Sequence, residues 1–111
     1  MPKLKFFRQI IAALSVLNAV SSVLNSADVG GAEWTTFYVV FGAGTSAGII
    51  TIEAAHSATY SGTWASLGTV AWAAASSVKS ITVQGSHMAL RARISTAAVG
   101  GTIDVYVNLS A

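Results

Sequence analysis

The residues able to do chemistry are few, and they are scattered along the chain. Glu53 and His56 are close in sequence, an acid and an imidazole three positions apart. Acid–base catalysis by such a pair requires both groups to meet a substrate, with a third group orienting the imidazole. No third group stands at a telling spacing, so Glu53 reads as a strand-end acid and His56 as a loop residue. His87 follows Gly85-Ser86 and reads as part of a turn. Gly42-Ala-Gly44-Thr-Ser-Ala-Gly48 shares only its composition with phosphate-cradling loops. Those loops lead from a strand into a helix, whereas this segment joins two strand-like runs and is expected to be a hairpin turn. Asn108-Leu109-Ser110 fits the short glycosylation-acceptor pattern, with no other sign of secretion. Trp34, Trp64 and Trp72 have the ring faces to stack sugars, and equally the bulk to pack a core or an interface.

The chain has no cysteine. That excludes a disulfide framework, a zinc–thiolate site and a thiol nucleophile. With two histidines and four acids in 111 residues, no metal-ligand spacing forms, and no hydrolase or phosphate-loop motif is present. The expectation is a protein that is not an enzyme, with no catalytic residues, no cofactor and no metal.

The remaining composition describes the kind of object that carries these residues. Charged residues are 9% of the chain, against roughly 25% in an ordinary soluble domain. Mean hydropathy is +0.64, and Ala, Ser, Thr and Gly supply about half of the residues. Disordered chains have the opposite balance, high charge with low hydrophobicity. The net charge of +2 belongs to one end: Lys3, Lys5 and Arg8 lie in an acid-free N-terminal stretch. Residues 28–111 set Lys79, Arg91 and Arg93 against Asp28, Glu33, Glu53 and Asp104. A nucleic-acid surface clusters its cations on one face, so no specific nucleic-acid partner is expected.

Residues 9–27 carry no charge. Phe6, Ile10, Ala13, Leu17, Val20, Leu24 and Ala27 recur at alternating spacings of four and three, with Leu14 beside them. That is the seam of a coiled-coil-like helix, with Ser and Asn gathered on the opposite side. The pattern predicts an N-terminal amphipathic α-helix over about residues 6–26, ending before Gly30-Gly31. Its assembly interface would be Phe6, Ile10, Leu14, Leu17, Val20 and Leu24. Two other readings stand beside this one: a signal-like or membrane-anchoring segment, and an ordinary domain helix.

From Trp34 onward the period becomes two. Thr35–Phe41, Ala47–Ala54, Thr63–Leu67, Thr69–Ala73, Val78–Val83, Met88–Ser95 and Ile103–Leu109 read as strands, separated by Gly- and Ser-rich turns. The last two would form a hairpin over Gly100-Gly101, placing Arg93 opposite Asp104 and Arg91 opposite Tyr106. About seven strands without an intervening helix imply a mainly β fold, an antiparallel β-sandwich or jelly roll. The domain plan is residues 1–30 as helix or arm and residues 31–111 as β-sandwich domain. With one proline and few charges to protect strand edges, neighbouring subunits are the simplest cover for them.

The β part resembles a recurrent type of small virion protein in tailed bacteriophages. The resemblance lies in Ala47-Gly-Ile-Ile-Thr-Ile-Glu-Ala-Ala55, Tyr60-Ser-Gly-Thr-Trp-Ala-Ser-Leu-Gly-Thr-Val70, Ala89-Leu-Arg-Ala-Arg-Ile-Ser95 and Gly100-Gly-Thr-Ile-Asp-Val-Tyr-Val107. It covers about residues 34–109 and implies a structural role. The foremost expectation is a capsid decoration or cement protein on the virion, a homo-oligomer such as a trimer, contacting other virion proteins such as the major capsid protein. A tail or fibre module that binds host glycans through exposed tryptophans is a second expectation, and a membrane-anchored β protein a third.

Overall fold

The computed structural model describes residues 4–21, 23–25, 34–84 and 89–110, with side chains undescribed at 4–8, 13, 25 and 110. Eight strands follow in chain order: β1 (Leu4–Leu14), β2 (Leu24–Asn25), β3 (Trp34–Phe41), β4 (Ala47–Ala55), β5 (Ala65–Ala71), β6 (Ser77–Gln84), β7 (Ala89–Val99) and β8 (Ile103–Ser110). Seven are full strands, and β2 is a two-residue piece. The expected alternation positions the clearest of them. In β3, Thr35, Phe37, Val39 and Phe41 are buried, and the residues between them face outward. In β8, Ile103, Val105, Val107 and Leu109 are buried in the same rhythm. The two strands pair antiparallel, with Phe37 opposite Val107 and Val39 opposite Val105, so buried positions meet buried positions.

Two antiparallel sheets result, in the orders β1-β8-β3-β6 and β2-β7-β4-β5. They form a slab of 38 × 35 × 19 Å, the thickness expected of two sheets about 10 Å apart with their outward side chains. Between them lie Ile11, Leu24, Phe37, Phe41, Ile50, Ile52, Leu90, Ile94 and Ile103, all fully buried.

The N-terminal helix is not formed: no helix occurs among the described residues, and residues 4–14 are strand β1 along the edge of β8. The reason lies in the register. Shifts between Leu4 and Phe6, Gln9 and Ile11, and Ile11 and Leu14 interrupt the alternation. They bring Ile10 and Ile11, neighbours in sequence, both into the core, with Leu14 packed partly against it. A strand broken every few residues by bulges loses its period of two, and its apolar spacing then imitates a heptad. After β1 a turn closes from the Ala19 amide to the Val16 carbonyl, with Asn18 at φ 68°, a left-handed position that Asn tolerates. The chain then returns along β7: the Asn18 amide donates to Ile94, Ile94 to Ala19, and Ser21 to Ala92. Thus residues 4–21 and 23–25 contribute to both sheets and pack as part of the sandwich.

The expected β7–β8 hairpin is also replaced. β7 and β8 lie in different sheets, and so do β3 and β4. β3 pairs with β8 and β4 pairs with β7, so the two strands cross from one sheet to the other side by side. Their corner loops are joined by the Gly42 amide to Thr102 O and the Ser46 amide to Val99 O, both at 2.9 Å. Gly44 and Gly100 meet at this corner with φ of 84° and 79°. A Cβ on Gly100 would overlap the Gly44 carbonyl oxygen. Gly100→Ala is therefore expected to lower unfolding free energy by about 2–4 kcal/mol, from backbone strain plus steric overlap. A urea titration checks this, and a loss below about 1 kcal/mol, ordinary for a surface change, would show that the corner can give. Among the described strands, the one consecutive pair joined within a sheet is β4–β5, Ile49 opposite Ala71 and Ile50 opposite Val70. The two runs expected at 63–67 and 69–73 merge into the single strand β5.

Among the described side chains, the outer face of the β1-β8-β3-β6 sheet carries little charge. Tyr38 stands between Tyr106 and Ser80, Val40 between Asp104 and Val78, and Trp34 opposite Gln84. Asp104 is the only charged side chain described on it. Gly30-Gly31, Gly85-Ser86 and His87 lie outside the described residues.

Candidate functional site

The outer face of the other sheet carries the polar chemistry. Residues two apart on a strand share a face, so Arg91 and Arg93 of β7 project together. The register sets Arg91 opposite Glu53 of β4 and Arg93 opposite Thr51. Glu53 Oε1 accepts from Arg91 Nε and Oε2 from Arg93 Nε, each at 2.9 Å. One carboxylate thus bridges two guanidiniums. Glu53 is only 4% exposed, while the arginine side chains keep 20% and 28% of their surface. Charge-assisted bonds at both carboxylate oxygens are what make such burial tolerable. Beside them the Thr51 hydroxyl donates to Ser95 Oγ at 2.7 Å.

Two further segments close around this triad. The loop from β4 to β5 folds back so that the Arg91 guanidinium lies 4.2 Å from the centre of the Trp64 ring, a cation–π contact. Trp64 is held by its own indole N–H, which donates to Tyr60 O at 3.0 Å. On the other side Asn18, on the turn after β1, accepts from Arg93 Nη1 through Oδ1 at 2.9 Å. Between the two segments an open cavity of about 330 Å³ is lined by the triad, Trp64, Thr63 and Asn18 among others.

This arrangement suits charge recognition better than proton transfer. Both Glu53 oxygens are occupied by guanidinium N–H groups. His56 is not part of the site; its ring packs against that of Tyr60, centroids 5.0 Å apart. Asp104, expected to meet Arg93, instead accepts from Gln9 Nε2 at 3.1 Å. Among the described residues no group of three His, Asp or Glu is arranged to hold a metal ion.

The residues of the expected assembly interface are divided by the fold. Ile10 and Leu24 are in the chain's own core, and Leu14 is packed partly against it. Leu17 and Val20 are exposed, at 52% and 44%, beside Val16 at 67%. The side chain of Phe6 lies outside the described residues. Of the tryptophans, Trp64 is buried, and Trp34 and Trp72 are half-buried. Asn108 of the glycosylation-like pattern is in β8, paired on both sides by β1 and β3. No helix among the described residues is long and apolar enough to cross a membrane.

The triad escaped sequence reading because its pairing is topological. Arg91-x-Arg93 does signal two cations on one face, but Glu53 precedes them by about 40 positions, and only the β4–β7 register joins them. Comparison with protein-family models, with curated proteins and with solved structures found no match.

Proposed function

We propose that the chain is a structural protein of a tailed-bacteriophage virion, a capsid decoration or cement protein that assembles symmetrically and stabilises contacts between capsid subunits. The observation that carries this reading is the strand pairing. β1 pairs with β8, β2 with β7, β3 with β6 and β4 with β5. An antiparallel ribbon of four strands against four, rolled up on itself, has that order, which supports reading the sandwich as an eight-stranded jelly roll. Viral capsid proteins use this architecture, as do lectins and cupins. The resemblance of residues 34–109 to small virion proteins selects among these.

Two surfaces support an assembling role. The outer face with Trp34, Tyr38 and Tyr106 combines aromatic side chains with little charge among its described side chains, the composition of interface centres. The turn at Val16, Leu17 and Val20 exposes apolar side chains at one place. Repeated around a symmetric shell, weak contacts of this kind add through avidity. The partners are other copies of the chain and neighbouring virion proteins such as the major capsid protein.

Leu17→Asp tests the reading. The side chain is half exposed, so the isolated domain should keep its stability to within about 0.5 kcal/mol. Light scattering of the full chain without detergent should show a discrete oligomer that the substitution dissociates. Particles carrying the substituted protein should lose resistance to heat and shear. A parent chain that is monomeric at all concentrations, or substituted particles as resistant as the parent, would remove the docking role.

A further inference from the structure

From the Glu53–Arg91–Arg93 triad we infer a socket for a carboxylate: an Asp or Glu side chain presented by a protein partner. The inference goes beyond the assembly reading and does not depend on it. Two guanidiniums face one carboxylate, so the triad carries one uncompensated positive charge at the wall of an open cavity. Its donors are not exhausted. Arg91 spends Nε on Glu53, and among the described residues neither of its Nη atoms has a hydrogen-bond partner. Arg93 spends Nε on Glu53 and Nη1 on Asn18, leaving Nη2. The free donors thus come from two rigidly held groups. Glu53 fixes both at Nε, the Trp64 ring supports one and Asn18 anchors the other. A held guanidinium loses little freedom on binding, and its planar fork fits a carboxylate.

The same geometry selects the source of the carboxylate. The Trp64 ring is covered by Arg91 and the residue is 4% exposed, so no ring face remains for a sugar to stack upon. The cavity, at about 330 Å³, is at the small end of ligand sites. It accommodates a side-chain tip entering past Thr63 and Asn18. An acidic side chain needs only the guanidinium donors and the apolar edge of Val20, which also lines the cavity.

The test uses the full chain and three probes: N-acetylglutamic acid N-methylamide, glucuronate and inorganic phosphate. The readout is the NMR shift of the Arg91 and Arg93 Nε–H groups and the Trp64 indole N–H. The blocked glutamate should bind with a Kd on the order of 1–10 mM, as expected of a small anion on two guanidiniums. Glucuronate and phosphate should bind no more tightly. Thr63→Glu places a carboxylate at the cavity rim while leaving the three residues of the triad unsubstituted, and should weaken the blocked glutamate by at least about tenfold through like-charge repulsion and occupancy of the socket. Thr63→Gln, similar in size, should stay within about threefold of the parent, because it adds no charge. No shift with the blocked glutamate would overturn the socket, as would equal binding by Thr63→Glu. Phosphate as the tightest probe would overturn the carboxylate assignment, and glucuronate as the tightest would overturn the protein source.

Discussion

Removing residues 1–14 is expected to unfold most of the domain. A separate arm could be cut away with little effect on the β part, but β1 is a wall of the core. Ile10 and Ile11 are 7% and 1% exposed, and Leu14 packs beside them. Burial of one such side chain contributes about 1.5–3 kcal/mol, and an unfilled gap adds a further penalty. The truncation also uncovers Val105 and Val107 and strips β8 of one partner strand. Together these losses reach about 5 kcal/mol or more, a large share of the 5–15 kcal/mol that stabilises a typical domain. Circular dichroism melts of the full and shortened chains decide the matter. A shortened chain that melts cooperatively within a few degrees of the full one would mean that β1 contributes little.

Glu53→Ala should be the most damaging single change on the outer surface of the sandwich. It leaves two partly buried guanidiniums facing each other without their shared carboxylate. Removing one member of a buried ionic cluster costs roughly 3–5 kcal/mol, chiefly because the remaining charges stay desolvated. The arginines keep 20% and 28% of their surface, so solvent relieves part of this and the expected loss is about 3 kcal/mol. In a domain of this size that lowers Tm by roughly 10 °C or more. Replacing all three residues by methionine should cost less than Glu53→Ala alone, since no charge is left unpaired. Calorimetry on the two variants measures the contrast. If Glu53→Ala matched the parent, the triad would be a solvated surface pairing of little energetic weight.

What could be read from the residues was decided by how local each signal was. The alternation in β3, β7 and β8 announces strands with one buried face, and Phe37, Val105 and Ile94 are buried as that alternation requires. The all-β body follows from the same evidence. In β1 the bulges erase the alternation, and a heptad-like spacing remains in its place. Gly100-Gly101 marks a place where the chain changes direction, but Gly44 and Gly100 serve a corner shared by two strands, which no short-range pattern separates from a hairpin. The site was the least legible part. Each arginine and each acid is visible, yet choosing Glu53 over Asp104 as the partner of Arg93 requires knowing which strands are neighbours.

The pairing of β1 with β8 sets the order of events in the protein's formation. Leu4 is opposite Ser110, so an early segment of the chain finds its place only against a very late one. During synthesis β1 has no strand to join until β8 has been made, and the core stays open along that side. Sheets built from such distant pairings close slowly and expose apolar strands while they wait. The outer faces acquire their shape only once that closure is complete. Any partner that recognised those faces would therefore meet finished chains and pass over partly folded ones, so that closure of β1 on β8 would act as the checkpoint before binding.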